Sequence, residues 1–112
     1  MTNEKRTSFG QPNPTLTLGK NVSISEMYVS IGDNVLIGSD SVVHQYANIG
    51  HNVKIGIGVK IGGGARISDN VTIGDYVEVG SHTHICQNVI IPDYWDIPDS
   101  YVVNPGLVLV KM

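Results

Sequence analysis

From Ile31 onward a large aliphatic residue recurs at every sixth position: Ile31, Ile37, Val43, Ile49, Ile55, Ile61, Ile67, Ile73, Val79, Ile85, Ile91, Ile97 and Val103. Glycine follows it at Gly32, Gly38, Gly50, Gly56, Gly62, Gly74 and Gly80. Four places after each aliphatic stands a usually small residue, as at Val35, Ser41, Ala47, Val53, Val59, Ala65, Val71, Val77, Thr83 and Val89. A period of six fits neither a 3.6-residue helix nor a simple meander. It suits short strands, because positions i and i+4 share parity and point to the same side. Sharp turns must join such strands, and glycine permits the backbone angles they need.

A second period shows how the strands are arranged. Asn34, Asn52, Asn70 and Asn88 follow one another at intervals of three hexapeptides. Asparagine tolerates the left-handed region and hydrogen-bonds its own backbone at turns. An asparagine ladder at one corner therefore predicts a coil with three faces per turn, stacked at about 4.8 Å. The expected fold is all-β, a single-stranded parallel β-helix of about four to five coils. Leu18, Val22 and Ile24 extend the repeat upstream, and one residue is inserted near Val29. The expected division is a flexible N-terminal tail at 1–14, the β-helix at 15–106 and an exit strand or tail at 107–112. Tyr28, Trp95 and Tyr101 are assigned to the i+4 slot of terminal hexapeptides, where rings would cover the ends of the coil stack and its unpaired strand edges.

Composition narrows the function classes. The chain has 112 residues, a net charge of -3 and a pI near 5.7, which argues against nucleic acid or a membrane surface as partner. Met1 to Pro14 is polar and reads as neither a signal peptide nor a span. Cys86 is the lone cysteine, so no intrachain disulfide forms, and a free thiol suits a reducing, cytoplasmic setting.

The six-residue pattern from about Leu18 to Pro105 resembles the hexapeptide-repeat acyltransferase superfamily. That resemblance implies a left-handed coil, a homotrimer and a coenzyme A thioester such as acetyl-CoA as donor. The implied acceptor is a small molecule offering a hydroxyl or amine, a sugar among the options. The segment Ile49-Gly50-His51-Asn52-Val53-Lys54-Ile55-Gly56 resembles the catalytic-histidine coil of sugar-nucleotide N-acyltransferases, which implies His51 as general base. Imidazole, with an ordinary pKa near 6.5, suits that role. Asp33 and Asp69 share the His51 column one coil before and after, and either carboxylate would orient the ring. The run Val42-Val43-His44-Gln45-Tyr46 resembles a Val-His-Gln-aromatic stretch near bound substrate in UDP-N-acetylglucosamine acyltransferases, which implies that His44, Gln45 and Tyr46 bind substrate. Asn104-Pro105-Gly106 resembles the Gly-Asn-Pro-Ala ending of small acetyltransferases, near the coenzyme A groove.

Other groups complete the expectations. Lys54, Lys60 and Arg66 occupy the i+5 slot of successive hexapeptides, hence three different faces, and Lys60 and Arg66 are the candidates for coenzyme A phosphates. The histidine spacings do not reproduce the zinc pair of gamma-class carbonic anhydrases, so no metal is expected. Gly62-Gly63-Gly64 is not a phosphate loop, because no helix start or Lys-Ser/Thr follows it; it allows close approach of backbone or a neighbour. The alternative to an enzyme is a non-catalytic trimeric β-helix scaffold, favoured by the brevity of the chain.

Overall fold

The computed structural model of the protein describes residues 14–106. The tail expected at 1–14 falls outside the described residues but for Pro14, and the exit segment expected at 107–112 falls outside them entirely. Fifteen two-residue strands form three five-stranded parallel sheets, the three faces of a solenoid of about five coils. Face 1 stacks β1 (Thr17–Leu18), β4 (Leu36–Ile37), β7 (Lys54–Ile55), β10 (Thr72–Ile73) and β13 (Ile90–Ile91). Face 2 stacks β2 (Ser23–Ile24), β5 (Val42–Val43), β8 (Lys60–Ile61), β11 (Glu78–Val79) and β14 (Asp96–Ile97). Face 3 stacks β3 (Ser30–Ile31), β6 (Asn48–Ile49), β9 (Arg66–Ile67), β12 (His84–Ile85) and β15 (Val102–Val103). No helix occurs among the described residues, and so none is long and apolar enough to cross a membrane.

Each strand presents an outward i+5 residue followed by the inward aliphatic, as in β8, where Lys60 is exposed and Ile61 is buried. The pairing register carries like onto like: Ile61 pairs with Val79 and Val43, and Lys60 with Glu78 and Val42. The i+4 residues turn inward as well, so the interior is a column mainly of Ile and Val that includes Ala47 and Ala65. Two polar groups share it. Ser41 donates to the Gly56 carbonyl at 2.9 Å and accepts from the Val59 N–H at 3.1 Å. Thr83 bonds the Gly80 and Pro98 carbonyls at 2.7 and 3.1 Å. Both hydroxyls thus regain in the core the hydrogen bonds they leave in water.

The corner expectations hold at the third corner, after face 3. Asn34, Asn52, Asn70 and Asn88 all have φ near +60°, and the Asn34 amide donates to the Asn52 side-chain oxygen at 3.4 Å. The ends depart from expectation. Tyr28 does not fill an i+4 slot: the inserted residue lengthens the corner after β2, and Val29 takes the buried position. Tyr28 instead has φ +58° and stacks outside on Tyr46, with ring centroids 5.5 Å apart. Trp95 is half-buried and packs on the core, whereas Tyr101 is 53% exposed.

Candidate active site

The expected site residues divide between two corners. His44, Gln45 and Tyr46 form the second corner, which follows β5 of face 2. Asp33, His51 and Asp69 lie at the third corner, which follows face 3. Strand β6 runs between them, so one chain does not bring the proposed base and the proposed substrate residues together.

At the third corner the column of Asp33, His51 and Asp69 exists, but its bonds are to backbone. The Asp33 N–H donates to His51 Nδ1 at 2.8 Å, and the His51 N–H donates to Asp69 Oδ1 at 2.8 Å. The Asp33 carboxylate is 4.0 Å from Nδ1, with both side chains more than half exposed. The same device recurs around the coil. Ser39, Asp75, Asp93 and Asp99 each accept from the equivalent N–H one coil below, at Lys20, Ile57, Asp75 and Ser81. His51 therefore does at its corner what Asp or Ser does at the others. Because its Nδ1 lone pair is engaged, the proton of the neutral ring resides on Nε2, which makes the outward nitrogen a donor.

The second corner is built differently. In the coil above Gln45 the equivalent residue is Gly63, the one glycine at that third hexapeptide position among the described corners. At Lys20, Asp33, His51, Ile57, Asp75 and Ser81 this N–H meets a side-chain acceptor from the next coil, whereas above Gln45 there is no side chain to supply one. Among the described residues nothing accepts from the Gln45 or Gly63 N–H. Gly62 and Gly64 flank Gly63, so the backbone is bare over three residues. A Cβ added at Gly63 would have as its nearest neighbour the Gln45 carbonyl oxygen at 3.4 Å, an ordinary contact, whereas one at Gly64 would strike the His82 ring at 2.6 Å.

His44 opens this corner and is exposed. It lines a shallow groove of about 510 Å³ over face 2, together with Lys60, Gly62, Glu78, Gly80 and Asp96. Lys60 Nζ is 3.8 Å from Glu78, so one expected substrate residue and one expected phosphate-binding lysine do share a groove. Arg66 lies on face 3 in a second groove of about 510 Å³, with Asn48, Ser68 and Gln87. Asn104 borders a cleft of about 310 Å³ beside Trp95 and Tyr101, and Pro105 stands above Gln87, next to Gly106, whose N–H donates to the Gln87 carbonyl at 2.9 Å. Two features escaped the sequence reading. Ser68 Oγ lies 3.4 Å from His84 Nε2, and the Gln45 N–H stands open below Gly63. The second was detectable as the one glycine in the third position of a hexapeptide. Among the described residues no cluster of three His, Cys, Asp or Glu can hold a metal ion.

Residues 46–81 match the family model described as bacterial transferase hexapeptide, six repeats. The chain is a hexapeptide-repeat β-helix. No curated protein matches it by sequence. Among solved structures it is similar to a Caulobacter crescentus perosamine N-acetyltransferase in complex with CoA and GDP-perosamine. That similarity has 20% identity and a TM-score of 0.81, over 88% of this chain and 47% of the other. Serine acetyltransferase isoform 3 from Entamoeba histolytica, in complex with cysteine, is similar at 24% identity and a TM-score of 0.72, over 83% and 36%. A serine acetyltransferase in complex with CoA is similar at 25% identity and a TM-score of 0.68, over 76% and 36%. The hexapeptide-repeat chain thus spans less than half the length of these structures.

Proposed function

We propose that this protein transfers an acyl group, acetyl in the simplest case, from a coenzyme A thioester to the amine or hydroxyl of a sugar or other small acceptor. The observation that carries the reading is the bare corner: His44 is followed by an N–H with no acceptor, and one coil above a second such N–H belongs to a glycine. Acyl transfer needs a base at the nucleophile and donors where the carbonyl oxygen gains charge. In this reading the His44 imidazole takes the proton from the acceptor as its nitrogen or oxygen attacks the thioester carbon. The carbonyl oxygen becomes an oxyanion held by the Gln45 N–H group, in the space that the missing Gly63 side chain leaves. Collapse of that intermediate breaks the C–S bond, and His44 returns the proton to the leaving thiolate. His44 is preferred to His51 because the His51 Nδ1 lone pair is already engaged by Asp33.

Support for coenzyme A as donor comes from the similar structures that hold it, and support for a sugar acceptor from the one that holds GDP-perosamine. The assembly in this reading is a homotrimer. Among the described residues the grooves on faces 2 and 3 are open, and a neighbour along either face would supply the second wall that ligand binding needs. It also brings Arg66, Asn104 and Pro105 of one chain toward Lys60 of another, where they would hold the donor. The test is thiol release from acetyl-CoA over a panel of amino sugars, hydroxylated sugars and small amino acids, with coenzyme A binding measured by calorimetry. Release that disappears in Gly63→Ala supports the assignment. Absence of both binding and release replaces the enzyme with a β-helix scaffold.

A further inference from the structure

The left-handed positions of the third corner hold Asn34, Asn52, Asn70, Asn88 and Gly106, whereas those of the other two corners include Tyr28, Tyr46, Tyr76 and Tyr94, each tyrosine with φ near +60°. A bulky residue in that region is costly, and Asn or Gly would serve the turn at less cost. The tyrosines are not compensated by burial, since all four are more than half exposed. They occur as two stacked pairs, Tyr28 on Tyr46 and Tyr76 on Tyr94, with centroids 5.5 and 5.4 Å apart. Strain kept at exposed positions points to use rather than to folding.

The first pair lies inside the second corner. Tyr46 follows His44 and Gln45 directly, and its partner Tyr28 covers one side of its ring. On the other side the residue in line with Tyr46 is Gly64, which has no side chain, and the His82 ring lies over the Gly64 backbone. The Tyr46 ring, 53% exposed, stands next to the bare corner, and the carboxylates of Glu78, Asp96 and Asp99 line the groove that the neighbouring His44 borders. An exposed aromatic face receives the C–H face of a pyranose, and carboxylates accept from its hydroxyls.

We propose that the Tyr28–Tyr46 stack is the platform on which the acceptor's ring rests, making this site selective for a pyranoside over a ringless amine or alcohol. The inference deepens the acyl-transfer reading of the same corner. Tyr46 is a binding residue here, and His44 remains the group that moves the proton.

The probe is methyl 2-amino-2-deoxy-β-D-glucopyranoside, with L-serine as the ringless acceptor and adenosine as a planar competitor, on the full chain with coenzyme A present. Tyr46→Asn is the decisive variant, because asparagine already occupies this corner conformation at Asn34, Asn52, Asn70 and Asn88 and leaves folding intact. Saturation-transfer NMR is expected to show pyranoside contact. Its affinity should fall about tenfold in Tyr46→Asn, the order expected for loss of one stacking contact, and persist in Tyr46→Phe. Where thiol release is measurable, the preference for pyranoside over serine should fall by the same factor. Pyranoside affinity unchanged in Tyr46→Asn overturns the platform, as does adenosine binding in place of the sugar. A changed particle mass in light scattering with unchanged sugar affinity overturns it in favour of an intersubunit contact. Thiol release that proceeds independently of Tyr46 leaves acyl transfer standing and removes the platform. Sugar binding lost with Tyr46, in a protein that releases no thiol, does the reverse.

Discussion

At His51 the imidazole serves the turn first. Its Nδ1 takes the Asp33 N–H at 2.8 Å, the place that an aspartate oxygen takes at Asp69, Asp75, Asp93 and Asp99. His51→Asp should therefore melt close to the parent, while His51→Ala should lose about 0.5–1.5 kcal/mol, the worth of one ordinary hydrogen bond. Thermal denaturation compares the two directly. For chemistry the informative residues are His44 and Gly63. His44→Ala is expected to lower turnover about 10²–10⁴-fold while coenzyme A still binds by calorimetry, because proton transfer acts in the transition state. Gly63→Ala is expected to keep the melting temperature, since its new Cβ finds only an ordinary contact at 3.4 Å. It should nevertheless lose turnover about 10²–10³-fold, as the methyl group fills the space where an oxyanion would sit. Equal turnover of Gly63→Ala and parent would remove the oxygen-binding role.

An element here is only two residues long, and none is stable alone. Each strand gains its partners from strands one coil away, in register, so stability comes from stacking rather than from local propensity. A defect in a middle coil is then felt on both sides. Ile61, fully buried, pairs across to Val79 and Val43, and Ile61→Ala should cost about 2–5 kcal/mol for lost burial and the cavity left behind. Trp95 is half-buried over the last coils, so Trp95→Ala should cost less than full burial implies, about 1.5–3 kcal/mol from the apolar area involved. Chemical denaturation of the two variants checks the order. A larger loss for Trp95→Ala would mean that the indole closes the stack more completely than its exposure indicates.

At the scale of the molecule, the described residues form a prism whose grooves lie open on its faces. Two of them, each about 510 Å³, are open surfaces on faces 2 and 3. A homotrimer would close them between chains, and light scattering at micromolar concentration should give three times the monomer mass. A clean monomer would leave His44 and Lys60 on an open surface and count against catalysis. The Lys60–Glu78 pair, 3.8 Å apart and exposed, adds little to stability in any state. Lys60→Ala should thus change donor affinity and leave the melting point nearly unmoved.

The sequence by itself determined the inward residues through the six-residue period, and the three faces and the asparagine corner through the eighteen-residue one, because each follows from side-chain parity and from which residues tolerate positive φ. Ile31 through Val103 needed no neighbour to declare themselves as core. The column of Asp33, His51 and Asp69 was legible for the same reason, since a repeat places residues eighteen apart above one another. What those side chains bond to was not legible. Only the stacked coils show that the His51 ring meets a backbone N–H, and that Gly63 leaves one unmet. The inserted residue before Val29 was visible as a broken period, yet which of Tyr28 and Val29 turned inward depended on the path of the lengthened corner. Tertiary structure decided it: the interior at that coil has room for a valine, and the displaced ring found Tyr46 on the outside.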